Sequence, residues 1–230
     1  MKPNNFDDLR YELKFNAKAF KYNEIIDSIR YGPHGYRQEH PSQTLNNLYF
    51  DTPNYAAFED NVSGASNRAK LRLRWYDPLK DPRKIFLEAK LKRNYYGWKI
   101  RDKIELSFPV ENLPISSLVK EIGQQASDEL KIKLDYSCVP TLINRYHRDY
   151  FISYDGKLRI TVDSIIKFSD PRGAKFINRA LHLNTPDICV LEYKCAVNDY
   201  ELLKETVSKI SLVRTRNSKY IIGMSSVFGC

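Results

Sequence analysis

Lysine and arginine recur on alternate residues of several short runs. A strand has a period of two, so each such run puts cations on one face and apolar side chains on the other. In 68–76 the even positions are Arg68, Lys70, Arg72, Arg74 and Tyr76, and the odd ones are Ala69, Leu71, Leu73 and Trp75. In 84–92, Lys84, Phe86, Glu88, Lys90 and Lys92 oppose Ile85, Leu87, Ala89 and Leu91. Lys99, Arg101, Lys103 and Glu105 oppose Trp98, Ile100, Ile104, Leu106 and Phe108. Arg10, Glu12 and Lys14 oppose Tyr11, Leu13 and Phe15. Lys157, Arg159, Thr161 and Asp163 oppose Leu158, Ile160 and Val162, while Val190, Glu192 and Lys194 oppose Cys189, Leu191, Tyr193 and Cys195. The chemistry such faces suit is recognition of a multiply charged anion. Guanidinium forks match phosphate oxygens in pairs, and ammonium groups supply point charges.

A polar face meeting water is the ordinary reading of one half-solvated antiparallel strand. Two features of the set argue for more: the charges are mostly basic, and they recur in nearly every long run. Neighbouring strands lie ~4.8 Å apart, so cations at equivalent positions become neighbours. At ~6 Å and an effective dielectric of ~20, each like pair costs roughly 3 kcal/mol. Glu12, Glu88 and Asp163 share faces with cations and would relieve part of that cost, either by orienting lysines or as simple ion pairs. An anion with several charges would relieve more. No G-x-x-x-x-G-K-[ST], G-x-G-x-x-G or H-E-x-x-H occurs, so familiar nucleotide loops and that zinc helix are absent. His34, His40, His147 and His182 are scattered and read as surface or packing residues.

The elements that must position these residues are mostly strands. Beside the runs above, 44–50 and 141–152 read as strands with a less regular alternation. Helical spacing appears in 17–29, through Phe20, Ile25, Ile26 and Ile29. The stretch 53–62 suits a short helix with Pro53 in its first turn. One or two helices are expected within 113–134. Asn198 followed by Glu201 resembles a capping arrangement ahead of a helix over 200–212. Residues 218–228 form a last helix or an irregular tail, and 167–187 is an excursion with no assignment. Strands adjacent in sequence, joined by short turns such as Asn94-Tyr95-Tyr96-Gly97, pair antiparallel. The expected class is α+β, with helices on the apolar face of a large antiparallel sheet. Six or more such strands can curl into a closed barrel, and the charged face would then line its lumen.

Composition bounds the reading. The chain has 230 residues, 42% hydrophobic and 28% charged, which fits one globular domain over 1–230 and excludes wholesale disorder. The 37 Lys and Arg exceed the 28 Asp and Glu, for a formal net charge of +9, which favours polyanionic partners. No apolar run approaches ~20 residues. The segment Met1–Asp8 lacks an apolar signal stretch, so a cytoplasmic protein is expected. Cys138, Cys189, Cys195 and Cys230 form no C-x-x-C pair and read as reduced structural thiols. Cys230 lacks the three following residues that a prenylation signal needs. Sixteen Tyr and 11 Phe raise the question of base stacking on nucleic acid. Many, such as Phe15, fall on apolar strand faces, so core packing accounts for them and no nucleic-acid partner is expected.

The ordered motifs resemble a known family. Arg10-Tyr11-Glu12-Leu13-Lys14-Phe15 resembles the first-strand motif of triphosphate tunnel metalloenzymes. Tyr49-Phe50-Asp51-Thr52-Pro53 followed by Tyr55 is similar to a second segment. Lys70-Leu71-Arg72-Leu73-Arg74-Trp75-Tyr76 and Phe86-Leu87-Glu88-Ala89-Lys90 are similar to the next two. Asn144-Arg145-Tyr146, Leu158-Arg159-Ile160-Thr161-Val162-Asp163, Val190-Leu191-Glu192-Tyr193-Lys194 and Ser218-Lys219-Tyr220 continue the set in order. Together they resemble the VTC-type branch, the polyphosphate polymerase domain of vacuolar transporter chaperone proteins and its bacterial relatives.

That resemblance implies a closed antiparallel tunnel of about eight strands with helices outside. It implies transfer of the terminal phosphoryl group of ATP, or another nucleoside triphosphate, to a growing polyphosphate. Lys14, Lys70, Arg72, Arg74, Lys90, Lys103, Arg145, Arg159 and Lys219 would contact phosphates; Lys14, Arg72, Arg74, Lys90, Arg159 and Lys219 would be the catalytic ones. Lys99 and Arg101 share the face of Lys103. Glu192, with Glu12, would hold Mn²⁺ or Mg²⁺. Many hydrolytic relatives carry E-x-E-x-K in the first strand, whereas Arg10 stands at the first glutamate here. A carboxylate-poor site favours the polymerase branch over a triphosphatase or a class-IV-type adenylyl cyclase. The alternatives are a triphosphatase of the same fold and a non-enzymatic polyanion-binding module. Any membrane link would come through a separate membrane-protein partner.

Overall fold

The computed structural model describes residues 10–77, 83–94, 96–215 and 218–229. Met1–Asp8, Tyr95 of the expected turn, and Cys230 lie outside the described residues. The first strands and helices are β1 (Arg10–Lys18), α1 (Tyr22–Arg30), β2 (Arg37–Asp51), α2 (Ala56–Val62), β3 (Asn67–Asp77), β4 (Lys84–Arg93) and β5 (Tyr96–Glu105). Then come α3 (Ile115–Gln125), α4 (Asp128–Tyr136), β6 (Val139–Ile152), β7 (Leu158–Asp170) and β8 (Leu181–His182). The chain ends with β9 (Ile188–Ala196), α5 (Tyr200–Ser208), β10 (Val213–Thr215) and α6 (Lys219–Phe228).

The class is α+β. The strands form one sheet in the order β10-β1-β9-β7-β6-β2-β3-β4-β5, with β8 joined to β7. Pairs β1–β10, β1–β9, β3–β4, β4–β5, β7–β8 and β7–β9 are antiparallel. Ten strands replace the expected eight or so, and the order of bonded neighbours among the described residues has two ends, β10 and β5. The surplus strands, β8 and β10, have two and three residues, too few for alternation to register.

The chain forms two compact units, each drawn from three segments. One comprises 1–44, 146–166 and 186–217. Its core sets Leu13 and Phe15 of β1, Ile160 and Val162 of β7 and Leu191 of β9 against Ile25, Ile26 and Ile29 of α1 and Leu203 of α5. The other comprises 45–145, 167–185 and 218–230. There Leu71, Leu73 and Trp75 of β3, Ile85 and Leu87 of β4 and Ile104 of β5 pack with Leu118 and Ile122 of α3 and Leu130 and Leu134 of α4. Each such side chain, once buried, contributes roughly 1.5–3 kcal/mol. The apolar strand faces read from the sequence are therefore the faces that the helices cover.

Several boundaries differ from expectation for local reasons. Ala17 and Lys18 stay in β1 because they pair with Cys189 and Ile188, so α1 starts at Tyr22, after a short 3-10 turn. α2 starts at Ala56, not around Pro53. The Asp51 carboxylate accepts the Ala57 and Phe58 amides at 2.8 and 3.0 Å, and Tyr55 is left-handed at φ 56°. The residue before α5 is Asp199, which makes no side-chain cap bond, so the Asn198 cap is not formed, and the helix ends at Ser208. β5 stops at Glu105, and Ser107 turns to bond Glu121. The 167–187 excursion holds the end of β7, a 3-10 turn over Ile177–Arg179, and β8. Residues 219–228 are helical, and Ser218 Oγ caps the first turn. Cys138, Cys189 and Cys195 are free thiols. Among the described residues, no helix is long and apolar enough to cross a membrane.

Candidate functional site

The register of β3, β4 and β5 converts alternation into rows across the sheet. Lys70 faces Lys90, which faces Lys99; Arg72 faces Glu88, which faces Arg101; Arg74 faces Phe86, which faces Lys103. Opposed side chains start ~4.5–5.5 Å apart. Glu88 is the hub of this face. It is 1% exposed, and its carboxylate meets Arg72 Nη2 at 2.8 Å, Arg101 Nε and Lys99 Nζ at 3.4 Å, and Arg74 Nη1 at 3.7 Å. Burial alone would raise the Glu88 pKa. Arg72, Arg74 and Lys99 outweigh it and hold the carboxyl at about 2. For Lys99, by contrast, burial outweighs Glu88 and lowers its pKa.

Polar neighbours of the same unit steady the arginines. Arg74 Nε donates to Asn47 Oδ1 at 2.8 Å, and Asn47 Nδ2 donates to Asn144 Oδ1 at 2.7 Å. Arg72 Nη1 reaches the Tyr49 hydroxyl at 3.4 Å. Lys70 Nζ donates to Ser218 Oγ at 2.9 Å, which sets the start of α6, and hence Lys219, beside β3. The Tyr220 hydroxyl donates to the buried Asp51 carboxylate, the same group that supports α2, so one carboxylate anchors both helices.

The other unit carries a second charged face. Across β10, β1, β9 and β7, Thr215 faces Lys14, Lys14 faces Glu192, and Glu192 faces Thr161. In the next row Glu12 faces Lys194, which faces Arg159. Lys14 Nζ sits 2.7 Å from Glu12 and 3.2 Å from Glu192, and Lys194 Nζ also contacts Glu192. Burial opposes charge on Glu192, yet Lys14, Lys194 and Arg148 pull its pKa well below the carboxylate range. Burial likewise works against the Lys14 ammonium, and Glu192 and Glu12 overcome it, so the Lys14 pKa is raised.

The predicted residues thus gather in two sets. Lys70, Arg72, Arg74, Lys90 and Lys103 share the β3–β4–β5 face, with Lys219 starting α6. Lys14, Glu12, Glu192 and Arg159 share the β1–β9–β7 face, where Arg159 Nε meets Glu39 at 3.1 Å. Arg145, expected among the phosphate contacts, lies with neither set. Its guanidinium meets Asp77 at 3.2 Å, on the oxygen that accepts from Asn46, and it is half exposed. Arg148 was missed. It holds Asp163 with Nη2 at 2.7 Å and adds to the field on Glu192. Residues three apart on a strand point to opposite faces, so Arg145 and Arg148 cannot both serve one face. That parity was the available signal.

Among the described residues no three His, Cys, Asp or Glu side chains gather as a ready metal cage. Glu12 and Glu192, bridged by the Lys14 ammonium, are oxygen donors that fit the sparse protein share of a Mg²⁺-type site, one or two carboxylates completed by substrate phosphates.

Vacuolar transporter chaperone complex subunit 2 of Saccharomyces cerevisiae is 26% identical over 199 aligned positions, covering 72% of this chain and 23% of that protein. The chain therefore spans about a quarter of the length of this curated relative. Two solved structures are loosely similar. A candidate adenylate cyclase from Vibrio parahaemolyticus has TM-score 0.47 and 14% identity, covering 93% of this chain and 96% of that one. The Schizosaccharomyces pombe Mediator head module has TM-score 0.48 and 9% identity, covering 90% and 99%. Likenesses that loose carry no functional inference. A family model described as the VTC domain matches residues 6–228, nearly the whole length, and this chain belongs to that family.

Proposed function

We propose that this chain is a polyphosphate polymerase, moving the terminal phosphoryl group of ATP onto a growing polyphosphate. The observation that carries the reading is the β3–β4–β5 face, where rows of Lys and Arg surround one buried, ionised Glu88. Phosphoryl transfer needs alignment and neutralised charge more than covalent help. Glu88 holds Arg72, Arg74, Lys99 and Arg101 in place before substrate arrives, so little ordering remains to be done on binding. Lys70, Lys90, Lys103 and Lys219 add point charges for the phosphates. Lys14 and Arg159 give the β1–β9–β7 face phosphate-binding cations of its own, and Arg148 adds to the positive field there.

No protein nucleophile is required. A terminal oxygen of the acceptor chain attacks the donor γ-phosphorus in line, the bond from that phosphorus to the β-γ bridging oxygen breaks, and ADP leaves. When bound, Mn²⁺ or Mg²⁺ at Glu192 and Glu12 would supply further neutralisation of phosphate oxygens. Closure of the sheet into a tunnel belongs to this same reading, as do a cytoplasmic location and a separate membrane-protein partner.

The test is incubation with ATP and Mn²⁺ followed by a gel that resolves phosphate chains. Long chains are the expected product. Orthophosphate alone would mean a triphosphatase, and binding without turnover would mean a polyanion-binding module.

A further inference from the structure

The charged face of β3–β4–β5 is not uniform along its length. One end is purely cationic, with Lys70, Lys90 and Lys99 in a row. Two rows away, Phe86 stands between Arg74 and Lys103. Alternation puts Phe86 and Tyr76 on the cationic side of their strands, away from the core, and both stay half-buried. Their rings meet edge to face at 6.2 Å. The Arg101 guanidinium lies over the Phe86 ring at 3.5 Å from its centroid, while its Nε also reaches Glu88. An aromatic pair backed by a flat cation is therefore built into a face whose charged residues are otherwise mostly cations gathered around Glu88.

From these features we infer that Phe86, Tyr76 and Arg101 form a subsite for the nucleobase of the donor. Bases stack on aromatic rings and on guanidinium planes, and cation–π contact strengthens the pair. The polarity of the face matches the ligand, since a nucleoside triphosphate is aromatic at one end and polyanionic at the other. Phe86 and Lys90 are four residue steps apart, roughly 13 Å along β4. That span separates a stacking end from a phosphate end on one rigid surface. The inference deepens the polymerase reading and rests on it: the face would take a nucleotide donor by its base as well as by its phosphates.

The experiment compares ATP with inorganic tripolyphosphate, which has the charge but no base. Binding of both to the full chain is measured by calorimetry for the wild type, Phe86→Ala and Phe86→Trp. Phe86→Ala should weaken ATP about tenfold, the scale of one lost stacking contact, and leave tripolyphosphate within about twofold. Phe86→Trp should restore ATP affinity. A 2-aminopurine nucleotide should lose fluorescence on binding the wild type and keep it on Phe86→Ala. Equal weakening of both ligands, or no change in either, overturns the base subsite while leaving the polymerase reading standing. A wild-type chain that binds neither ligand overturns that reading, and the subsite with it. Retained tripolyphosphate binding also shows that the variant is folded.

Discussion

Glu88→Ala is expected to lose about 3–5 kcal/mol of stability, the scale of breaking a buried ion pair from one side. Four cations converge on this carboxylate, and two of them, Arg72 and Arg74, are themselves mostly buried. Without the carboxylate they repel one another in a poorly solvated place. The same group has a pH signature. Its folded pKa lies at about 2, below its ordinary 4.5. A depressed acid contributes stability that is present above 4.5 and is lost as pH falls toward 2, because the unfolded chain takes up the proton first. That contribution is on the order of 3 kcal/mol at neutral pH. Glu88→Gln should therefore be less stable at pH 7 and should flatten the acid limb of the stability curve. Urea unfolding across that range is the measurement. A Glu88→Ala variant within about 1 kcal/mol of wild type would show that the hub is not a structural keystone.

Glu192→Gln is expected to lower turnover by two to three orders of magnitude, roughly the cost of removing one preorganised electrostatic element from a transition state. The substitution keeps the shape and removes the charge that Lys14, Lys194 and Arg148 surround. Polyphosphate binding should survive, or tighten, because a cationic face loses an anion. Activity and binding thus move apart in this variant. Arg72→Glu is the contrasting case, in which both should fall together, since it reverses a cation in the row held by Glu88. A Glu192→Gln protein with full turnover would remove the glutamate from the catalytic account. Measuring initial rates alongside the affinity for a short polyphosphate separates these outcomes.

Much of this site was legible as alternation. The faces of β3, β4 and β5 could be read because a strand repeats every two residues and each run was long enough to show it. What alternation cannot supply is register. That Arg72, Glu88 and Arg101 share one row follows from how three strands slide past one another, so the role of Glu88 as hub emerged only with the fold. The Arg145 assignment followed a motif, whereas the pairing of Arg148 with Asp163 depends on which face of β6 each residue takes. The start of α2 was misplaced because its support comes from Asp51, five residues upstream of Ala56, and not from the proline between them. Asp51 also reaches Tyr220 near the other end of the chain, a contact that no local window contains.

The sharpest test of phosphoryl transfer follows a label. ATP carrying ³²P at the γ-position is supplied with a short unlabelled polyphosphate and Mn²⁺. The account predicts that label enters chains longer than the acceptor, with ADP released in equal amount. Label recovered only as orthophosphate, or left entirely in ATP, would contradict it.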